Sequence, residues 1–437
     1  MNDRRTAARD EPPVAIEPIS DPAGSPPPAS ISIHPIRIRS ITTRYYLLWL
    51  FGMFSPSFIF AVYPLFLRSR GLNQFQINGV AAVYFLVTFL TDVPTGAFAD
   101  ALGRRTSVVI GAVLHAGAFL LYFVSHHYWH FIVAEITDGV ATTFCNGAID
   151  AWAVDALDEA GFEGPKDRLF SRAGQIWRAA AMVGALVGAY VAKVDIAVPF
   201  LMGAIANLVF GAVALAMMDG HRRRTANFDA RTVLHEIRER MFVGTRAGFA
   251  SRPVLLMATA SMVGAAALVP FWNEWQGYFL AHLGMGIEVV GWLFCLFTIA
   301  QMAGSEVVVR MSWAWRRRAA FMAAATAISS IAFIVAGIAG ALPVVAFAAF
   351  MVYNACGGAT NPVLQSWFNE QIDGDHRATL LSFQTTFATF GASAGLPVQG
   401  RLVDSYGVGV AWQAAGVLAM LQVPCYLALR KKKADAD

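Results

Sequence analysis

Glu135 and Asp138 stand three residues apart in the apolar run His130-Phe-Ile-Val-Ala-Glu-Ile-Thr-Asp138. A carboxylate held away from water and counter-ions binds a proton more readily than one in solution, and that is the chemistry a proton-coupled device requires. No basic residue of the N-terminal half is evident at their depth. They are therefore the expected proton-coupling pair, with Asp138 the deeper at ~14 Å from the nearer boundary at 1.5 Å per residue. The other reading keeps both ionised against an aqueous vestibule. A second group, Asp92, Asp150 and Arg178, falls at ~10, ~6 and ~15 Å by the same count. It is expected to form a buried charge network around Arg178, or else to leave Arg178 free for an anionic substrate. A third, Phe271-Trp272-Asn273-Glu274-Trp-Gln276-Gly-Tyr278, sets polar groups among aromatic walls, as a site for an organic molecule does. Trp272, Asn273, Glu274 and Gln276, with Asn146 and Asn361, are the expected substrate-cavity residues.

The most informative run is Gly96-Ala-Phe-Ala-Asp100-Ala-Leu-Gly103-Arg104-Arg105, a charged turn between two long apolar stretches. Glycine permits a tight turn and close helix approach, Asp100 suits a helix N-terminus, and the arginines suit a cytoplasmic headgroup zone. By depth, Asp155 is level with Arg104. A gating hinge of Gly96, Asp100, Gly103, Arg104, Arg105 and Asp155 follows.

Of 437 residues 57% are hydrophobic and 14% charged, against about 25% charged in a soluble domain. At ~20 apolar residues per crossing, twelve segments emerge near 44–68, 75–99, 106–125, 129–154, 168–192, 196–218, 254–281, 286–308, 319–340, 342–369, 378–403 and 407–429. Runs this long exclude β-barrels. The expected fold is an all-α polytopic membrane protein with 12 transmembrane helices in two pseudo-symmetric six-helix bundles. Its divisions are a disordered Pro-rich tail (1–40), an N-terminal bundle (41–218), a linker with an amphipathic helix (219–252), a C-terminal bundle (253–430) and a basic tail (431–437). That linker helix lies either along the membrane surface or on the bundle ends. Arginine and lysine crowd the loops of one side, placing both termini in the cytoplasm.

The halves repeat weakly. A shift of 215 pairs Asn146 with Asn361, Trp152 with Trp367 and Asp155 with Glu370, while Trp315-Arg-Arg-Arg318 takes the hinge's place without its upstream acid. In Gly184-Ala-Leu-Val-Gly188 the small residues suit close helix packing.

The hinge resembles the G-x-x-x-D-x-x-G-R-[RK] loop between helices 2 and 3 of Major Facilitator Superfamily transporters, and the likeness extends over about residues 42–430. Asp92-Val-Pro-Thr-Gly96, Gly147-Ala-Ile-Asp-Ala-Trp152 with Asp155, and Arg377-Ala-Thr-Leu-Leu-Ser382 are similar to a prokaryotic subset that includes drug and metabolite exporters. Gly184–Gly188 resembles a degraded exporter signature lacking its proline. The resemblance implies proton-driven secondary transport of a small molecule, with the proton gradient as energy source and no cofactor. The expected setting is a bacterial inner membrane and the expected form a monomer.

Proton-coupled import of a metabolite or anion is the alternative, and a non-transporting receptor the second. An enzyme or primary pump is not expected, since neither G-x-x-x-x-G-K-[ST] nor H-E-x-x-H occurs in the sequence. The four cysteines lie in apolar stretches and suggest neither disulfides nor a metal site. A net charge of +4 concentrated at helix ends gives no reason to invoke nucleic acid.

Overall fold

A backbone that crosses hydrocarbon must satisfy its own hydrogen bonds. In the computed structural model, which describes residues 35–219, 248–370 and 377–429, every regular element is helical. The N-terminal half comprises α1 (Pro35–Ser57), α2 (Tyr63–Ser69), α3 (Gln74–Leu102), α4 (Arg104–Val124), α5 (Tyr128–Cys145), α6 (Ala148–Glu159), α7 (Asp167–Val191) and α8 (Val198–Met217). The C-terminal half comprises α9 (Arg252–Leu268), a 3₁₀ turn (Val269–Asn273), α10 (Trp275–Leu283), α11 (Val289–Arg310), α12 (Ser312–Arg316), α13 (Arg318–Ile338), α14 (Pro343–Glu370), α15 (Arg377–Tyr406), α16 (Val408–Met420) and α17 (Gln422–Ala428). Among the described residues, eight spans are long and apolar enough to cross a membrane: α3, α4, α8, α9 with its 3₁₀ continuation, α11, α13, α14 and α16–α17.

Each of the twelve apolar segments coincides with one helix or with successive helices, and the interruptions are local. Asn146 and Gly147 divide the fourth segment into α5 and α6. Gly147 takes φ +67° there, a conformation that a side chain disfavours. The seventh divides at Glu274, after the 3₁₀ turn that carries Pro270. Two expectations change here. Segments one, four, seven and twelve are not continuous helices, the first breaking at 58–62 and the last at Leu421, and α1 begins at Pro35, inside the stretch expected to be a tail. Residues 1–34, the amphipathic linker helix expected within 219–252, the basic tail 431–437 and its neighbour Arg430 lie outside the described residues, apart from the ends of that linker range.

Core packing distinguishes the two ends of the molecule. Toward the end that carries Gln74 and Asp404, a single aromatic cluster draws on both halves. Ala61, Val62, Leu65, Ala185 and Ala189 join Phe271, Trp275, Phe279, Phe297, Phe333, Phe350 and Trp412. At the hinge end each half keeps its own cluster, one around Tyr45, Trp152 and Phe210 and one around Met322, Trp367 and Phe383. Gly184 and Gly188 pack α7 on the end of α1, leaving no room for a Cβ against Ser57 or the Phe58 backbone. Close packing, as read from the sequence, is what these small residues provide.

Candidate functional site

The seam between the halves is sealed at one end. Asp404 accepts hydrogen bonds from the Gln74 and Phe75 backbone N–H groups, Asn78 Nδ2 donates to the Leu396 carbonyl at 3.0 Å, and Lys193 pairs with Glu288 at 3.1 Å. Gly291 lies against α7 so closely that a Cβ would meet the Ala189 side chain at 2.8 Å. Toward the hinge the seam parts. Among the described residues no hydrogen bond or ion pair joins the halves from residue 83 of α3 to its end, and Leu86, Leu90, Val93 and Phe390 are exposed.

Glu274 sits inside the sealed part. The helix break turns its carboxylate into the seam, where it is 4% exposed. Its Oε1 accepts from Asn78 Nδ2 at 3.4 Å and its Oε2 from Trp412 Nε1 at 3.0 Å, so each oxygen answers to a different half. Gln74 Nε2 bridges Asn78 Oδ1 (3.1 Å) and the Asn273 carbonyl (2.9 Å), and Arg68 donates to Gln74 Oε1. A buried carboxylate needs such partners. Of the residues expected to line a substrate cavity, Glu274 and Gln276 are therefore buried in this state, with Gln276 Nε2 donating to the Trp272 carbonyl. Trp272 and Asn273 are half-buried, and the Asn273 main chain makes the seam contact. Asn146 and Asn361 are exposed on α5/α6 and α14, and Asn146 Nδ2 reaches Asp92 Oδ1 at 3.4 Å.

Glu135 and Asp138 reverse the expected order of burial. Glu135 is 6% exposed and accepts from Tyr122 Oη and from Tyr63 Oη (3.4 Å) through one oxygen, Oε2. The Asp138 side chain is 19% exposed and lies 2.8 Å from His115 Nδ1 on α4. The expectation that Asp138 lacks a basic partner is thus corrected. Sequence reasoning missed His115 because α4 and α5 are antiparallel and the pair is separated by 23 residues. The available signal was a histidine about ten residues along α4 from the hinge, at a depth comparable to the acid's.

The hinge residues assemble at the open end. Gly103, at φ +100°, turns the chain from α3 into α4. Arg104 then reaches Asp155 Oδ2 at 3.1 Å and Asp100 Oδ1 at 3.6 Å. Arg37, Asp100, Arg104, Trp152, Asp155 and Glu159 line a pocket of about 320 Å³ there. Arg105 is half-buried next to Arg104 and Gly96 is exposed on α3. The second half echoes this joint, with Arg318 gripping Glu370 through two bonds.

The network expected around Arg178 does not form. Asp150 accepts from Tyr45 Oη (2.7 Å) and Trp49 Nε1 (3.1 Å) of α1, and Asp92 accepts from Asn146. Arg178 Nη1 donates to the Gly174 carbonyl, 3.3 Å away on its own helix. Comparable depth did not place the side chains on facing sides of their helices.

Known proteins resemble this chain in family and in fold. The Major Facilitator Superfamily model matches residues 46–278 and 254–436. YxaM of Bacillus subtilis, named as an uncharacterized MFS-type transporter, is 20% identical over 400 residues, 87% of this chain and 93% of YxaM. The quinolone resistance protein NorA of Staphylococcus aureus is 19% identical over 370 residues, 82% of this chain and 89% of NorA. Among solved structures, the nucleoside transporter NupG superposes with a TM-score of 0.71 at 13% identity, over 91% of this chain and all (100%) of NupG. The peptide transporter POT gives 0.71 at 12%, over 90% and 94%. At these identities the superpositions speak for the fold. The two halves, the hinge between α3 and α4 and the family match together make this chain a membrane transporter belonging to the Major Facilitator Superfamily.

Proposed function

We propose that the protein exports a small organic molecule in exchange for protons by alternating access, as a twelve-span monomer of a bacterial inner membrane with both termini inside. In that orientation the structure corresponds to an inward-open state. The observation that carries the proton part is the acid pair of α5. Glu135 and Asp138 lie one helical turn apart, each bonded to groups that can pass or share a proton, the Tyr63 and Tyr122 hydroxyls and the His115 ring. Export is supported by the likeness to a quinolone resistance protein.

Proteoliposomes with an imposed proton gradient, screened against a library of organic solutes, test the reading. Asp138→Asn should abolish gradient-driven accumulation yet permit downhill counterflow, because the amide imitates the protonated acid. Glu135→Gln should reduce accumulation less. Wild-type accumulation by Asp138→Asn would remove Asp138 from the coupling step.

An anionic cargo has one observation in its favour. Among the described residues, the Arg178 side chain makes no bond to any acid, so its charge is available to a substrate. Arg178→Gln should then weaken uptake of anionic solutes while sparing neutral ones.

A further inference from the structure

The hinge spacing recurs 304 residues later, at the opposite end of the molecule. Gly400-Arg-Leu-Val-Asp404-Ser-Tyr-Gly407 repeats the G-x-x-x-D-x-x-G of Gly96–Gly103. In both, the acid lies two residues before the last helical position, Leu102 of α3 and Tyr406 of α15. In both, the closing glycine takes a positive φ, +100° at Gly103 and +85° at Gly407. The copies differ in what they touch. A Cβ on Gly96 would meet nothing, whereas one on Gly400 would lie 2.7 Å from the Gln74 carbonyl oxygen and 2.8 Å from Phe75 Cα in the other half.

The first turn of a helix leaves backbone N–H groups without partners, and those of α3 are divided between two sources. Asn73 and Gln76 form a capping box inside the N-terminal half, so Gln76 N–H is satisfied by the Asn73 side chain. Gln74 and Phe75 N–H instead donate to Asp404 Oδ1 (3.0 Å) and Oδ2 (2.8 Å), a carboxylate of the C-terminal half. An anion at this site also meets the positive end of the helix dipole. Asp404 is exposed, so on separation both the carboxylate and the two amides pass into water, and the internal capping box keeps α3 wound. The joint can therefore open without stranding a buried polar group.

We propose that Gly400 and Asp404 are a second, outer latch, in which α15 caps α3 across the seam while the outer mouth is shut and releases it when the mouth opens. This rests on the alternating-access reading given above. The test uses the full chain in lipid nanodiscs, with hydrogen exchange at the Gln74 and Phe75 amides and a pair of spin labels on Val194→Cys and Met285→Cys. These are exposed loop positions, one on each half at the sealed end. The unsubstituted chain, labelled in parallel, serves as the blank for the four native cysteines. Asp404→Asn should speed exchange at both amides about tenfold, as loss of a charge-assisted bond implies, and lengthen the label distance. Gly400→Val, which wedges the seam without altering charge, should lengthen it as well. Faster exchange with an unchanged distance in Asp404→Asn would reduce the contact to a static helix cap and overturn the proposal. So would an unchanged distance in folded Gly400→Val protein. The distances are read without solute or gradient, so failure of the transport reading is detected separately, in wild-type liposomes.

Discussion

The His115–Asp138 contact gives the sharpest energetic prediction. Nδ1 and Oδ1 are 2.8 Å apart, and the side chains are only 15% and 19% exposed. Removing either member takes from the other its charged partner. A hydrogen bond to a charged group contributes about 1.5–3 kcal/mol, and breaking a fully buried ion pair costs about 3–5 kcal/mol. Partial exposure and the lower values found for interhelical bonds in membranes bring the expectation to about 2 kcal/mol for each single change. At roughly 2–4 °C per kcal/mol, His115→Ala and Asp138→Asn should each lower the melting midpoint by about 5 °C. The double variant should fall no further than about 6 °C, since the second change removes a group already without its partner; the coupling is then about 1.5 kcal/mol. Melting curves in one detergent at a fixed scan rate measure all four proteins. Strictly additive losses would show that the two side chains do not interact, and the proton-sharing role of His115 would fall with the contact.

Arg178 pairs with no acid among the described residues. Arg178→Ala should therefore shift stability by no more than a surface substitution does, about 0.5 kcal/mol; a loss of several degrees in the melting midpoint would restore the charge network. The Arg104–Asp155 pair is partly exposed, 25% at the arginine and 28% at the acid. Asp155→Asn should cost under about 1 kcal/mol in melting yet slow transport, and unchanged liposome flux would remove it from the gate. Gly188→Leu should prevent folding, seen as loss of the monodisperse peak in size-exclusion chromatography, because the added atoms have no space against Phe58. At the sealed end, the Glu288 carboxyl is held below its ordinary range by its own backbone N–H and by Lys193. A depressed folded-state value means that this contribution is complete above the unfolded value and is lost as pH falls through the folded one. Glu288→Gln should therefore flatten the melting midpoint's dependence on pH below about 4.5.

Much of this architecture was legible because the bilayer imposes a simple ruler. Apolar length located the helices, eight of them among the described residues long and apolar enough to cross a membrane, and counting rise along helices put Arg104 level with Asp155, which it meets. The same ruler failed for Arg178. Depth is one coordinate, and a contact also requires facing azimuths, which depend on how α1, α3 and α7 rotate as they pack. Asp150 turned toward Tyr45 and Trp49, leaving Arg178 on another side. The His115–Asp138 pair was hidden for the same reason, since its members lie on neighbouring antiparallel helices. The break at Glu274 was hidden differently. Phe271–Tyr278 reads as an aromatic stretch of helix, and only packing shows that the chain unwinds there and turns an acid into the seam. The Gly400–Gly407 copy of the hinge spacing was visible in sequence all along, but it lacks the following arginines that made the first copy conspicuous.

The aromatic cluster shared by both halves has a thermal consequence. In the alternating access proposed above, opening the sealed mouth would part Phe271, Trp275, Phe279 and their neighbours from α2 and α7 and wet apolar surface. Wetting apolar surface raises heat capacity by about 0.45 cal/K/mol per Å². The hinge end, where the two clusters are already separate, has less such surface left to uncover. The balance between the two conformers should thus be curved in temperature, with cooling weakening the closed mouth more than ion pairing alone would predict. A transport cycle limited by that opening would show a bent Arrhenius plot.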